Sequence, residues 1–358
     1  MKFHIQDLNR LSSDMLQGAL LGHHVYLCFE DCRINVDCSH KELADNLIHY
    51  FSPFLADAGR MPDITIQAVM CEPPEFDSTL QVKTPDPGKI KIKEEWIDLV
   101  PCGRLVYKRL TGMAFVFGGD INLAAGPCIA NANQVINFIN NRFIAWKLNQ
   151  GCLLGHAAGV AHKGKGMAIA GFSGMGKSTL ALHLMSRGTT FISNDRLMVD
   201  PKEKIPSMYG VAKLPRINPG TALNNSDLAA VLSPEDKARY ENMPVNELWE
   251  VEDKYDVFID ECFGKNRFDL NASMNFLCLL NWQRGADPMT TRSVDPAMLQ
   301  KLMPAFMKST GLFYIPEAGM VKDQPVEKYI EILSRCQVVE FSGGVNFAEA
   351  ADVCMSLF

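Results

Sequence analysis

The feature that most constrains this chain is the stretch Gly171-Phe172-Ser173-Gly174-Met175-Gly176-Lys177-Ser178. It fits the pattern GxxxxGK[ST], and its flanks fit as well. Met167-Ala168-Ile169-Ala170 before it is a short apolar strand. Thr179-Leu180-Ala181-Leu182-His183-Leu184-Met185-Ser186 after it reads as a helix, with Arg187 in the last turn and Gly188 as the stop. In a strand–glycine loop–helix arrangement the glycines let backbone N–H groups converge on phosphate, and the helix N-terminus adds a favourable dipole. Lys177 would bring a point charge to the β- and γ-phosphates, and the Ser178 hydroxyl would join a Mg²⁺ shell. Gly171, Phe172, Ser173, Gly174, Met175, Gly176, Lys177, Ser178 and Thr179 are therefore the expected nucleotide-binding residues.

Two neighbouring segments should meet this loop. Thr190-Phe191-Ile192-Ser193 reads as the next strand and ends at Asn194-Asp195-Arg196. A right-handed βαβ crossover would put the two strands parallel, with Asp195 at the edge that carries the loop. The alternative is that Asp195 and Arg196 simply make ion pairs at a strand end. Ala157-Ala158-Gly159-Val160-Ala161, the turn His162-Lys163-Gly164-Lys165-Gly166 and the strand before the loop read as a β-hairpin. A turn centred on Gly164 places residue 156 opposite about 172, so His156 would sit at the mouth of the loop. A histidine beside a carboxylate tunes its charge and orientation.

Together His156, the GFSGMGKS loop and the Asn194-Asp195-Arg196 turn resemble the catalytic domain of the HPr kinase/phosphorylase family, which phosphorylates a serine of a small phosphocarrier protein. The chain is most similar to the group called HPr kinase-related kinases, B type. Lys108-Arg109-Leu110-Thr111-Gly112-Met113, Gly126-Pro127-Cys128, Asn133-Gln134-Val135-Ile136-Asn137-Phe138 and the run from Gly210 to Gly220 extend that similarity over nearly the whole sequence. The resemblance implies an α/β fold, a P-loop kinase domain of the HPr kinase type. It implies an ATP-dependent kinase that transfers the γ-phosphate to a hydroxyl, a serine of a small partner protein, with ATP and Mg²⁺ as cofactors. A small-molecule kinase, a hydrolase, or an ATP-binding regulator with little phosphotransfer are the alternatives. By resemblance Asp195 is the catalytic base, His156 and Lys177 are catalytic, and Ser178 with Asp195 would hold Mg²⁺. A later catalytic arginine would correspond to Arg267 in Gly264-Lys265-Asn266-Arg267. The group also implies an ATP-grasp protein of the same gene system as a partner.

The sequence departs from the family at three places. Asn194 stands where the family has a first Asp. Ser207-Met208-Tyr209-Gly210 lacks the family's metal-binding Glu, and no phosphorylase segment is recognisable near Trp282-Gln283-Arg284-Gly285. Lys213 and Arg216 read equally as a phosphate site or as a solvated face.

The rest of the chain bounds the context. With 358 residues, two domains are expected, a mixed α+β N-terminal domain over 1–150 and the kinase-like domain over 151–358. A helix from Asn133 to Leu148 would join them, with Val135, Ile136, Ile139, Phe143, Ile144 and Trp146 at helical spacing. In the first part, strands are expected at 25–29, 32–36, 63–69, 104–108 and 113–117. Ser39 is the expected cap of a helix burying Leu43, Leu47, Ile48 and Phe51, and Lys89-Ile90-Lys91-Ile92-Lys93 alternates as a lysine-protected edge strand would. A formal net charge of −6 provides no basic field to hold nucleic acid or an anionic membrane. The apolar run Met274 to Trp282 is too short to span a bilayer and holds Asn275 and Asn281. The N-terminus lacks the apolar core of a signal peptide. Eleven cysteines without a CxxC pair suit a reducing cytoplasm. Nothing in the sequence decides whether the chain forms a homo-oligomer.

Overall fold

Burial that alternates along one strand and runs unbroken along another divides this chain into two kinds of sheet. In Cys32–Cys38 every second residue is buried, so one face meets a core and the other stays half-solvated. In Lys165–Gly171 every residue after Lys165 is buried, as in a strand covered on both faces. The computed structural model describes all residues except 1, 6, 86–90, 249, 250, 252, 286, 296 and 297. It forms two compact units, Met1–Asn149 with Thr310–Lys322, and Gln150–Ser309 with Asp323–Phe358. The architecture is mixed α/β.

Among the described residues the first unit is built on an eight-stranded sheet, with His23–Phe29 at one edge and Gln81–Val82 at the other. The expected strands at 25–29, 32–36, 63–69, 104–108 and 113–117 all lie in it. Glu94–Leu99 and Ile121–Gly126 complete the path. The alternating lysine segment begins at residues outside the described ones, and its remainder, 91–93, precedes the strand Glu94–Leu99 rather than forming one. The helix after Ser39 runs Lys41–Tyr50 with His40 at its N-cap. Ser39 is not the cap: its hydroxyl accepts from the Met70 N–H at 2.8 Å, across the adjoining strand. Leu43, Leu47 and Phe51 are buried as expected, whereas Ile48 is exposed.

The helix Ala132–Asn149 belongs to this unit and carries two buried cations. Lys147 reaches Asp31 at 2.8 Å. The Arg142 guanidinium lies 4.2 Å from the Phe117 ring centre and 5.3 Å from that of Phe138, and donates to the Phe313 carbonyl. Burial pulls its pKa down to about 9. Phe313 in turn stacks on Phe117 and meets Phe115 edge-on, and Arg104 donates to the Leu312 carbonyl at 2.9 Å. These contacts fasten 310–322 into the first unit. Single-residue periodicity gives no sign of that excursion, because the partners are 171 to 208 residues apart.

In the second unit the central strands Lys165–Gly171 and Asn271–Leu280 run parallel. Met167 and Ile169 point to one face, where Leu180, Ala181 and Leu184 of the helix Lys177–Met185 and Ala350, Ala351 and Cys354 of the helix Phe347–Leu357 cover them. Ala168 and Ala170 point to the other face, against Phe306, Tyr329, Ile332 and Leu333. None of the cysteines forms a disulfide, and among the described residues no helix is long and apolar enough to cross a membrane.

Arg142→Ala removes a stem packed between two rings and leaves the Phe313 carbonyl without its donor. A loss of roughly 3 kcal/mol is expected in urea unfolding. An unchanged midpoint would show that the clamp does not hold 310–322.

Candidate functional site

One hairpin register builds the site. Ala157–His162 and Lys165–Gly171 pair antiparallel with Ala157 opposite Ala170, closing on a two-residue turn at Lys163-Gly164, both with positive φ. Residue 156 therefore falls opposite Gly171, one residue from the position expected with Gly164 as the centre. Thr190–Ser193 pairs antiparallel with Ala157–His162 on its other side. The strand Thr190–Ser193 thus runs parallel to Lys165–Gly171 but is not adjacent to it, since the hairpin strand lies between them. The start of that middle strand and the ends of the outer two share one sheet edge. His156, the Gly171–Ser178 loop and Asn194-Asp195 converge there.

The contact that results is His156 Nε2 to Asp195 Oδ1 at 2.8 Å. Asp195 Oδ2 accepts from Arg196 Nη1. Burial pushes the Asp195 pKa up, but the hydrogen bond from His156 and the charges of Arg196, His156 and Lys308 prevail and hold it well below the usual carboxylate range. The Asp195 side chain keeps 42% of its exposure and His156 keeps 25%, so a carboxylate with spare lone pairs faces outward.

Behind this pair, the loop is held from below. Gly176 has φ +84°, and a Cβ there would lie 2.4 Å from the Phe347 ring, so only glycine fits. Trp282 Nε1 donates to the Met175 carbonyl at 2.9 Å, and its ring meets Phe347 edge-on at 5.2 Å. The front of the loop, Phe172-Ser173-Gly174, is exposed. Lys177 opens the helix and is buried; its Nζ donates to the Gly171 carbonyl at 2.8 Å and the Phe172 carbonyl at 3.3 Å. Burial lowers its pKa, Asp195 raises it, and Lys308 lowers it again. The Asp195 carboxylate thus acts on the charge of Lys177. Ser178 and Thr179 lie half-buried in the first turn, with Thr179 Oγ1 3.3 Å from Thr221 Oγ1.

Arg267 is not at this site. Its guanidinium donates to the Thr189 carbonyl, with Nε at 3.0 Å, and to the Met185 carbonyl at 3.1 Å. Those are carbonyls at and beyond the C-terminal end of the Lys177–Met185 helix, the end opposite the loop. Such carbonyls lack intrahelical partners, and an arginine satisfies them with its charge aligned to the helix dipole. The gapped placement of a catalytic arginine at Arg267 is therefore corrected: it caps a helix.

Lys308 escaped the sequence reading altogether. Its backbone N–H donates to the Leu154 carbonyl at 3.2 Å, Met307 bridges Gly155, and the His156 N–H donates to the Phe306 carbonyl. The segment 306–308 thus pairs beside the residue that leads into His156, close enough for the Lys308 charge to act on Asp195 and Lys177. No local pattern marks it, because the pairing spans about 150 residues.

Among the described residues no group of three or more His, Cys, Asp or Glu side chains is placed to hold a metal ion. Asn194 Oδ1, one residue before Asp195, is buried with no hydrogen-bond partner.

Neither a family model nor a curated protein matches the chain. A solved structure, that of the Hpr(Ser) kinase/phosphatase from Coxiella burnetii, is similar to it at a TM-score of 0.29 and 12% identity, over 57% of this chain and 92% of that one. A likeness of that size assigns no residue a role.

The depressed Asp195 pKa has a consequence for stability. A carboxylate held below its ordinary value, about 3.9, stabilises the fold above that pH and loses the contribution as the pH falls through the folded value. Asp195→Asn should therefore be less stable than the wild type at pH 7, with the gap narrowing between about pH 4 and pH 2. A gap that stays constant over that range in thermal unfolding would contradict the assigned charge state.

Proposed function

We propose that the chain is an ATP-dependent phosphotransferase that moves the γ-phosphate to a hydroxyl, a serine of a partner protein. One observation carries the reading: the His156–Asp195 pair at 2.8 Å on the sheet edge that also bears the glycine loop and Lys177. These residues support reading the second unit as a P-loop kinase domain of the HPr kinase type.

The loop N–H groups and the first turn of the Lys177–Met185 helix receive the β- and γ-phosphates. Lys177 releases the carbonyls of Gly171 and Phe172 and neutralises charge that spreads over the transferring group. Asp195 accepts a hydrogen bond from the acceptor hydroxyl, orients its oxygen towards the γ-phosphorus and takes its proton. As a strongly stabilised carboxylate it is a weak base, which suits a loose transfer in which positioning matters more than proton abstraction. His156 fixes the carboxylate through Nε2 and leaves one oxygen edge for the acceptor. Lys308 adds positive charge beside Lys177, where negative charge builds up.

Mg²⁺ fits the oxygen donors present. Ser178 in the first helical turn and the spare lone pairs of Asp195 would hold it. When bound, the ion would supply positive charge that neutralises the phosphate groups.

The experiment is incubation with γ-labelled ATP, Mg²⁺ and lysate from the source cells. A labelled protein band from the wild type, reduced about 10²- to 10⁴-fold in Asp195→Asn, is the expected result. Lys177→Ala should lose transfer and ATP binding together. Near-normal labelling by either folded variant would sink the assignment. Label in a small molecule, or released as free phosphate, would move the function to the metabolite-kinase or hydrolase alternative.

A further inference from the structure

His156 falls between two ladders. Leu153–Gly155 pairs with Leu197–Asp200 and ends with Gly155 opposite Leu197, whereas Ala157–His162 begins its pairing with Lys165–Gly171 at Ala157. Neither ladder includes residue 156, so neither fixes the direction in which its ring leaves the backbone. That direction depends on what lies beside residues 154–156. The segment from Phe306 to Lys308 runs antiparallel along them: the Phe306 carbonyl accepts from the His156 N–H, and the Lys308 N–H donates to the Leu154 carbonyl at 3.2 Å. The Phe306 ring comes so near that a Cβ on Gly155 would stand 2.5 Å from it.

A second donor reaches the same carbonyl from another element. Tyr329, on the helix Val326–Leu333, donates its hydroxyl to the Leu154 carbonyl at 2.8 Å and meets the Phe306 ring edge-on at 6.2 Å. Its side chain is buried in the apolar cluster that holds Leu153, Met303, Phe306 and Ile332. A phenylalanine would fill that space with no polar atom to satisfy, and a buried hydroxyl is costly unless it is bonded. The Leu154 carbonyl has two lone pairs and takes both donors. Among the described residues the Tyr329 hydroxyl has this one partner, and the partner stands two residues before His156.

We infer that Tyr329 is a positioning residue: through the Leu154 carbonyl its hydroxyl fixes the backbone that aims the His156 ring at Asp195. Its part in phosphate transfer rests on the phosphotransferase reading; its hold on His156 does not. The Tyr329 hydroxyl and the Lys308 N–H keep the peptide between Leu154 and Gly155 from rotating, and the Phe306 carbonyl does the same for the next peptide. The ring is then left where Nε2 meets Asp195 Oδ1 at 2.8 Å. Tyr329 touches none of the reacting atoms. It acts by sparing the pair a misplacement, and an error of about 1 Å at such a pair costs up to about 10²-fold in rate.

The test compares the full chain as wild type, Tyr329→Phe, His156→Gln and the double variant. Tyr329→Phe removes one oxygen atom and keeps the ring against Phe306. With γ-labelled ATP, Mg²⁺ and lysate, Tyr329→Phe should lower label transfer about tenfold in the wild-type background and less than about twofold in His156→Gln, because the two residues act as a unit. In urea unfolding of the same four proteins, the midpoint shift caused by His156→Gln should shrink to about half or less once Tyr329→Phe is present. A hydroxyl that only fills the core would leave both effects independent. Equal factors of transfer in the two backgrounds, additive midpoint shifts, or full transfer by Tyr329→Phe would therefore overturn the assignment. A wild type that transfers no label overturns the phosphotransferase reading instead, and the midpoints still decide whether Tyr329 holds His156.

Discussion

Everything at the candidate site depends on the register of one hairpin. Because Ala157 pairs with Ala170, His156 falls opposite Gly171, at the root of the glycine loop. Because Thr190–Ser193 pairs with the other side of the same strand, Asp195 arrives next to His156. A slip of one residue would turn His156 to the opposite face and separate the pair. The register is protected by burial on both faces. Alternate residues of Lys165–Gly171 face two different helical layers, so no shifted pairing keeps both cores filled.

Charge is the second organising element. One carboxylate, Asp195, pairs with His156 and Arg196, and the charge of Lys308 acts on it as well. A chain with a net charge of −6 thus concentrates cations at a single sheet edge. Fields of this kind raise the local concentration of an anionic ligand without making the whole surface basic. The same cluster keeps Asp195 ionised, and Lys177 is buried at the loop with its ammonium on the Gly171 and Phe172 carbonyls.

What the sequence disclosed, and what it did not, follows the range of the interactions. The loop, its helix, the hairpin and the strand to Ser193 were legible because each is local: glycine spacing, a two-residue turn, an apolar run. The meeting of His156 and Asp195 was legible as a consequence of those local units. Lys308 was not, since its place depends on a pairing with Leu154 and Gly155 across about 150 residues. Nor was the docking of Phe313 onto Phe115 and Phe117, which returns 310–322 to the first unit. Arg267 shows the opposite error. The position of this arginine suggests chemistry, but the fold uses it to close a helix end. Ser39 is a smaller case, a good capping residue that instead bonds a neighbouring strand.

The central proposal is that the Gly171–Ser178 loop receives the triphosphate of Mg²⁺·ATP, with the Asp195 turn beside it. Amide hydrogen exchange with and without Mg²⁺·ATP tests it most directly. The account predicts slowed exchange in the peptides covering 171–180 and 191–197, absent in Lys177→Ala. Protection confined to other segments, or none at all with ATP bound, would contradict it.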